Sequence, residues 1–184
     1  DAYNFEDVLQ VGCILNTFIR RSDVVRIACI AQLVNVIAPI MTEPGGPAWK
    51  QTIYYPYYFA SIFGRGTALN LSVDSPGYDA DIADNVAYVD VAGVHDKQGK
   101  TVTLFAVNRH ATDDAEIAVN LQGFGNARVI DHQVMTHRDL RAVNGLKSQN
   151  DVVPKAGSGL KVDGGTLTGK LPPYSYQMIR LQVE

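Results

Sequence analysis

Two amide side chains interrupt an apolar run in the first quarter of the sequence. Gln32 and Asn35 lie between residues 28 and 37, where the other side chains are hydrophobic. A buried amide has to be hydrogen-bonded, because leaving it unpaired costs about 1–3 kcal/mol. Either amide could bond to the backbone of a loop, or it could lie at the carboxyl end of a strand and face a pocket for a polar ligand. We favour the pocket for Gln32 and the structural role for Asn35.

One carboxylate and one indole could belong to the same pocket. The chain has four Glu, at positions 6, 43, 116 and 184, and only Glu43 follows the apolar run directly, in a loop rich in Pro and Gly. Loops at the carboxyl ends of parallel strands are where α/β enzymes carry functional side chains. Trp49 is the one Trp of the chain and could stack on a sugar ring. The tyrosines between residues 54 and 58 recur at helical spacing, which is more typical of packing.

The sequence predicts neither a metal site nor a bound cofactor. His132 and His137 are five residues apart on a predicted strand, so they would point to opposite faces of it. Cys13 and Cys29 lie in apolar stretches, where reduced thiols act as small buried hydrophobes.

The N-terminal third of the chain predicts an α/β unit that begins with a helix and a buried strand. A helix is expected over 4–21 with Asn4 as its N-cap, because apolar residues then recur at helical spacing. Residues 24–37 are rich in β-branched side chains without polar alternation. That pattern is typical of a parallel strand buried on both faces.

A loop and a second helix complete this unit. The helix is expected over 56–63, with Pro56 in its first position, where the missing N–H costs nothing. Gly64 would end it in the left-handed conformation. Helix, strand, loop and helix together are too small to cover both faces of their own strand, so residues 1–65 predict a piece of a larger α/β architecture.

From residue 66 onward the sequence predicts only strands. An Asp-Lys-Gln-Gly turn at 96–99 joins two strongly β runs and predicts a hairpin. Seven or more short strands separated by turns are typical of an antiparallel sandwich. The predicted strands cover residues 67–73, 86–94, 101–108, 116–121, 127–135, 166–171 and 174–183.

Composition and charge exclude several classes of partner. The 184 residues are 46% hydrophobic and carry a net charge of −3. Without a run of Lys and Arg we expect no nucleic-acid or anionic-membrane surface, because phosphate binding needs clustered cations. No apolar run reaches the roughly 18–20 residues that span a bilayer, and no signal peptide is visible.

Five stretches of the sequence resemble the family 51 α-L-arabinofuranosidases. The most specific is residues 28–40 (ACIAQLVNVIAPI), followed by residues 46–56 (GPAWKQTIYYP). Residues 3–7 (YNFED), 63–66 (FGRG) and 171–175 (LPPYS) are similar to the same family. The resemblance extends over essentially the whole chain.

The resemblance implies a mixed fold made of two parts. In this family a (β/α)8 barrel is followed by a β-sandwich of jelly-roll type. Residues 1–65 would then be the last helix-strand-helix of the barrel, with its eighth strand at about 26–33. Residues 66–184 would form most of the antiparallel sandwich. The boundary agrees with the change in residue pattern near residue 66.

The resemblance also implies the chemistry and the role of three residues. Retaining hydrolysis of a glycoside uses two carboxyl groups about 5–5.5 Å apart, one as nucleophile and one as acid/base. The family carries its acid/base in an Asn-Glu pair after the fourth barrel strand and its nucleophile after the seventh. This sequence has no Asn-Glu pair, so no catalytic residue is expected in it. Gln32 matches the strand-eight amide that hydrogen-bonds the arabinose, and Trp49 and Glu43 match less closely.

We therefore expect the C-terminal part of an enzyme that releases arabinofuranosyl groups from arabinan, arabinoxylan and arabino-oligosaccharides. Its partners would be the N-terminal barrel portion of the same enzyme, the arabinose-containing saccharide and further copies in a homo-oligomer. The family implies a cytoplasmic location and no cofactor. The chain alone would be inactive, and the alternative is a non-catalytic β-sandwich module that binds carbohydrate or stabilises an assembly.

Overall fold

The computed structural model describes residues 2–30 and 32–184, and in these ranges it contains two α-helices, one short 3-10 helix (Gln122–Phe124) and thirteen strands. The α-helices are α1 (Phe5–Arg20) and α2 (Tyr54–Phe63). The strands are β1 (Ile40–Thr42), β2 (Ala48–Lys50), β3 (Thr67–Leu69), β4 (Gly77–Ala80), β5 (Ala83–Ala87), β6 (Val89–Asp96), β7 (Thr101–Asn108), β8 (Ala115–Asn120), β9 (Arg128–Thr136), β10 (Lys155–Ala156), β11 (Lys161–Asp163), β12 (Thr166–Leu171) and β13 (Ser175–Gln182).

Six strands form one antiparallel sheet in the order β10-β9-β13-β7-β6-β3. Its centre is the pair β7 and β13, which runs from Asn108 opposite Ser175 to Thr101 opposite Gln182. Every residue of β7 is buried, which means that both faces of the sheet are covered at its centre.

A second, three-stranded sheet in the order β11-β12-β8 covers one of these faces. Side chains alternate across a strand, so every second residue of β7 and β13 points into the space between the sheets. This core consists of Val102, Leu104, Leu121, Leu167, Ile179, Leu181 and Val183. The chain therefore contains an antiparallel β-sandwich, as predicted, with an inter-sheet core of its own.

The helices cover the other face of the six-stranded sheet. Phe5 and Val8 of α1 are completely buried there, as is Val107 of β7. Gly12 allows α1 to lie close to the sheet, because a Cβ at this position would be 2.8 Å from a ring carbon of Tyr176. This second core consists of Phe5, Val8, Leu9, Phe59, Val94, Phe105, Val107, Met135, Ala142, Val152, Tyr176 and Met178.

Helix α1 begins as the sequence predicts. The Asn4 side chain accepts a hydrogen bond from the Asp7 backbone N–H at 3.1 Å, and the Asp7 carboxylate accepts one from the Asn4 N–H at 2.8 Å. This reciprocal capping box satisfies two backbone donors that the first turn leaves without partners.

Helix α2 differs from its prediction at both ends. It begins at Tyr54, two residues before Pro56, which therefore occupies the third helical position. Positions in the first turn have no intrahelical acceptor for their N–H, so Pro is tolerated there as well. The expected left-handed end is wrong, because Gly64 has φ −86° and donates its N–H to Ala60 O at 2.9 Å.

The strand predicted over 24–37 is not formed in the described part of that segment. Residues 25–30 have no regular structure, Ala31 lies outside the described residues, and the segment shows one parallel bridge, from Val34 to Ile40. A parallel strand needs hydrogen-bonded neighbours along its edges, and the described residues supply none for 26–33. Between α1 and α2 the chain instead forms the hairpin β1–β2. Cys29 is consequently exposed, and its prediction as a buried thiol is wrong.

Each strand predicted beyond residue 66 has a counterpart, but the predicted 67–73 is a strand only over Thr67–Leu69, and the predicted 86–94 begins at Val89 in β6. The hairpin turn at 96–99 is closed by the Asp96 carboxylate, which accepts hydrogen bonds from the N–H groups of Gln98 and Gly99, both at 3.0 Å. The short strands β10 and β11 and the hairpin β4–β5 have no counterpart in the prediction. Within the described residues no helix has the length and the apolar character needed to cross a membrane.

Candidate functional site

The three candidate binding residues all lie within one stretch, residues 32–51, which we call the site loop. Gln32 is exposed, near the start of this loop, and its side chain makes no hydrogen bond with other described residues. Glu43 is exposed in the turn between β1 and β2, and Trp49 is partly buried on β2, directly opposite Met41. An amide, a carboxylate and an indole are thus presented by one continuous piece of chain.

Asn35 has a structural role, as predicted, and the partner of its side chain is Thr42. The Asn35 Oδ1 accepts a hydrogen bond from the Thr42 backbone N–H at 2.8 Å, and its Nδ2 donates to the Thr42 hydroxyl at 2.9 Å. The Asn35 backbone N–H donates to Ile40 O at 2.8 Å, and its carbonyl accepts from Ala38 N at 3.0 Å. Asn35 therefore fixes the turn after Gln32 against strand β1.

Gln51 anchors the end of the site loop to the start of α1. Its side chain is almost completely buried, donates to Ala38 O at 2.7 Å and accepts from the Tyr3 N–H at 3.0 Å. The adjacent Thr52 hydroxyl donates to Asn4 O at 2.7 Å. Sequence reasoning missed Gln51, because a single polar residue in a loop carries no signal that it is buried.

The turn that carries Glu43 is a closed four-residue loop. Gly46 N–H donates to Glu43 O at 3.0 Å, and Glu43 N–H donates to Pro47 O at 3.1 Å. Gly45 sits in this turn at φ +67°, a conformation that glycine adopts without a steric penalty. The Glu43 side chain therefore extends from a turn whose backbone is held at both ends.

The tyrosines of α2 pack on each other and on the core. Tyr54 and Tyr58 are stacked with ring centroids 5.7 Å apart, and Phe59 is stacked on Tyr176 at 6.5 Å. Lys50 Nζ lies 4.7 Å above the Tyr54 ring, where a cation is attracted by the ring face. The packing interpretation of these rings agrees with the structure.

His132, His137 and Cys13 are each held by contacts within the described fold. His132 Nε2 lies 2.6 Å from Gln177 Oε1 on β13, whereas the His137 ring lies edge-on to Phe5 at 6.3 Å. Burial, and after it the Asp90 carboxylate, raises the pKa of the Cys13 thiol to about 11. The thiol therefore stays protonated at neutral pH, and a protonated thiol is a poor nucleophile.

Two concavities lie outside the site loop. The smaller one, of 250 Å³, lies between α1, α2 and residues 25–28, and the Tyr57 hydroxyl donates to Ala28 O at its edge. The larger one, of 870 Å³, runs along the outer edge of β8, beneath residues 70–76. Val89 and Val91 of β6 line it together with β8. It is therefore a gap between the large and the small sheet at the edge where the small sheet ends.

Apolar side chains are exposed along the helices and along the segment that was predicted as a strand. Ile27 is the most exposed of them at 83%. We call this group the exposed apolar set; it consists of Ile14, Phe18, Val24, Ile27, Leu33, Val34, Val36, Tyr58 and Ile62. Where such residues form a contiguous patch, they are typical of a surface against which another element packs.

Comparison with known proteins decides the family. A family model described as the α-L-arabinofuranosidase C-terminal domain matches residues 1–175. The chain belongs to this family. It is 46% identical over 181 residues to an intracellular exo-α-(1→5)-L-arabinofuranosidase of Halalkalibacterium halodurans, a match that covers 98% of this chain and 36% of the relative. It is 37% identical over 186 residues to an exo-α-(1→6)-L-arabinofuranosidase of Bifidobacterium longum, covering 99% and 35%.

Solved structures agree with this arabinofuranosidase assignment. A family 51 α-L-arabinofuranosidase from Bifidobacterium longum superposes with a TM-score of 0.91 at 32% identity, covering 98% of this chain and 35% of that one. The family 51 enzyme from Xanthomonas axonopodis pv. citri gives 0.88 at 27% identity, covering 99% and 36%. The family predicted from the five sequence stretches is confirmed, and the chain spans about a third of the length of these relatives.

This arabinofuranosidase C-terminal domain has one Glu in the site loop, and its other Glu residues lie elsewhere. Glu6 is exposed in the first turn of α1. Glu116 on β8 lies 3.6 Å from Lys170 Nζ, and Glu184 accepts a hydrogen bond from Asn126 at 2.7 Å. Retaining hydrolysis needs a nucleophile and an acid together. A partner carboxyl group for Glu43 is therefore not supplied by another Glu of the site loop.

Proposed function

We propose that this chain is the C-terminal part of a retaining α-L-arabinofuranosidase that releases terminal arabinofuranosyl residues from arabinan, arabinoxylan and arabino-oligosaccharides. The observation that carries the proposal is the family match over residues 1–175. The names of the relatives support the choice of the exo reaction and of arabinofuranosyl groups. Because the chain spans only about a third of those relatives, the reaction belongs to the intact protein.

Residues 1–65 are proposed as the end of the catalytic barrel and residues 66–184 as the sandwich. In the intact enzyme residues 26–33 would become the eighth barrel strand, once neighbouring strands pair with them. The exposed apolar set supports this, because the exposed segment has the composition of a strand buried on both faces. The N-terminal barrel portion is therefore the first partner of this chain.

The site loop would supply one side of the sugar pocket. Gln32 would hydrogen-bond the hydroxyl groups of the arabinofuranosyl ring that is released. Trp49 offers an apolar face for the sugar, and Glu43 offers a carboxylate acceptor for a hydroxyl. The nucleophile and the acid would both come from the preceding barrel strands. We also propose a cytoplasmic location, which the word "intracellular" in the names of relatives supports, and a homo-oligomeric assembly.

The test is to assay the 184-residue chain and the intact enzyme with an aryl α-L-arabinofuranoside. The intact enzyme should hydrolyse it, and the chain alone should stay at background. Adding the missing barrel portion as a separate chain should restore turnover if the two parts refold together. Turnover by the chain alone that disappears in Glu43→Gln would instead make the site loop a catalytic centre, and an inactive intact enzyme would refute the proposed reaction.

A second candidate is a non-catalytic sandwich module that binds carbohydrate or supports an assembly. The observation that favours it is that the site loop carries one Glu, Glu43, whereas retaining hydrolysis needs two carboxyl groups. Calorimetric titration of the chain with arabino-oligosaccharides separates the two functions. Binding by the chain alone, together with an inactive intact protein, would favour the module.

A further inference from the structure

Asn35 is hydrogen-bonded within the site loop through both its side chain and its backbone. Two atoms of its side chain and two atoms of its backbone are hydrogen-bonded, with partners at Thr42, Ile40 and Ala38. The donor and the acceptor of its amide engage the same residue, Thr42. The amide therefore fixes both the position and the orientation of that residue.

The backbone at this turn adopts a conformation that needs such support. Asn35 has φ +61° and Val36 has φ +57°, so two consecutive residues with side chains are left-handed. Asn is among the few non-glycine residues that adopt this region readily, whereas a β-branched residue there is a rare outlier. Such conformations persist where the surrounding contacts determine them, and they occur preferentially at functional sites.

Asn35 and its hydrogen-bond partner Thr42 lie close in the chain or across the hairpin to the three residues proposed to contact the sugar. Gln32 lies three residues before Asn35, on the near side of the strained turn. Thr42 is the last residue of β1, and Glu43 follows it immediately. Trp49 is paired with Met41 across the β1–β2 hairpin.

We propose that Asn35 is the positioning residue of the site loop, whose side-chain amide holds Gln32, Glu43 and Trp49 in one arrangement for the sugar. This proposal rests on the proposed function. Asn35 does not itself touch the substrate; it acts through Thr42 and through the turn. Binding groups that are held only loosely by their supporting contacts lose much of their effect.

The first test uses the fluorescence of Trp49, because the 184-residue chain has one Trp. Asn35→Gly keeps the left-handed backbone accessible and removes the side-chain contacts. We expect it to raise the acrylamide quenching constant of Trp49 about twofold, because the hairpin then opens locally. Asn35→Asp keeps an acceptor for the Thr42 N–H and one for its hydroxyl, so its quenching should equal that of the wild type.

Asn85→Gly is the matched control. Asn85 is also left-handed, with φ +52°, and lies in the β4–β5 hairpin, outside the site loop. Its replacement should leave the quenching of Trp49 unchanged. Unchanged quenching in Asn35→Gly, or an equal increase in Asn85→Gly, would overturn the proposal.

The second test uses the same variants in the intact enzyme. Asn35→Gly should raise KM for an aryl arabinofuranoside about tenfold, because binding groups that are misplaced by an ångström lose much of their contribution. Asn35→Asp and Asn85→Gly should stay close to the wild type, and the melting temperature should be similar in all four proteins. A purely structural role would lower the melting temperature and leave KM unchanged, which would refute the positioning role.

The two tests separate this proposal from the proposed function. If the wild-type enzyme fails to cleave the arabinofuranoside, the proposed reaction is wrong, and the fluorescence experiment still decides whether Asn35 holds the loop. If the wild-type enzyme is active and Asn35→Gly has an unaltered KM, only the positioning role is wrong.

Discussion

The guanidinium of Arg20 lies 3.0 Å from the carboxylate of Asp90, which joins the last turn of α1 to the first residues of β6. The same carboxylate accepts a hydrogen bond from the Asn16 amide at 2.7 Å, and Asn16 is almost completely buried. The proposed barrel end and the sandwich are thus joined by a partly buried polar contact as well as by apolar packing.

Asp90→Ala should destabilise the chain by about 1–3 kcal/mol, because it removes the carboxylate that accepts the shortest hydrogen bond of the buried Asn16 amide and pairs with Arg20. Thermal or urea denaturation measures this change. The matched control is Asp23→Ala, which removes the exposed pair of Arg21 and Asp23, a kind of pair that contributes little. Equal stability of the two variants would show that the contact of Asp90 with α1 is unimportant.

Gly12→Ala should destabilise the packing of α1 on the large sheet. The added methyl group would lie 2.8 Å from Tyr176 Cδ2 and 3.0 Å from Val107 Cγ2, and both neighbours are buried. Overpacking of this kind costs about 1–3 kcal/mol, of which the better helix propensity of Ala returns up to about 1 kcal/mol.

Gly123→Ala is the control for this substitution, because a Cβ at Gly123 would have no atom within 4 Å. Urea denaturation should show a lower midpoint for Gly12→Ala and no change for Gly123→Ala. A Gly12→Ala protein as stable as the wild type would mean that α1 can move away from the sheet without cost.

Patterns between neighbouring residues were sufficient to predict much of this fold. The capping box at Asn4 and the Asp96 turn depend on residues two or three positions apart. The residues of β7 that face the core between the sheets, Val102 and Leu104, are spaced two apart along the strand. Each of these patterns involves residues that are close together in the sequence, so each could be recognised without knowing the tertiary structure.

Other features depend on partners that the sequence alone does not place. Residues 26–33 have the composition of a buried strand, but a strand forms only when neighbours pair with its edges. Asn35 was predicted to be structural, yet nothing in the sequence indicates that its partner is Thr42. The site loop was therefore predictable as a location, and its internal geometry was not.

The two thiols should react very differently with iodoacetamide. Burial, followed by the Asp90 carboxylate, raises the pKa of Cys13 to about 11, whereas Cys29 is exposed. At pH 8 we expect peptide mass spectrometry to find Cys29 modified and Cys13 protected. Equal modification of both thiols in the folded chain would contradict the packing of α1.

The same pKa shift makes stability depend on alkaline pH. The folded state keeps the Cys13 proton that the unfolded state loses, so stability falls as the pH rises from 9 to 11. One pKa unit corresponds to about 1.4 kcal/mol, and the shift spans about two of them. Denaturation across this window should therefore show a steeper fall for the wild type than for Cys13→Ala.

The 184-residue chain should self-associate when the barrel portion is missing. The exposed apolar set offers surface that tends to find another apolar surface. Light scattering should detect dimers or larger species, and Ile27→Asp should reduce them. Ile82→Asp serves as the control, since Ile82 is 98% exposed at the tip of the β4–β5 hairpin and lies outside the set. A strictly monomeric wild-type chain at high concentration would contradict this prediction.

Gln32→Ala in the intact enzyme should lower kcat/KM and leave thermal stability unchanged. In this chain Gln32 is exposed and its side chain bonds to no other described residue, so its removal should cost the fold little. A hydrogen bond to the sugar contributes about 0.5–1.5 kcal/mol, or roughly 2- to 13-fold in kcat/KM, and more if it strengthens in the transition state. The matched control is Gln98→Ala, which changes an exposed amide in the 96–99 turn and should leave both quantities unchanged. Steady-state kinetics and a thermal melt on the same preparations measure the two effects. A Gln32→Ala enzyme that loses melting temperature in proportion to activity would show that this amide supports the barrel and does not bind the arabinose.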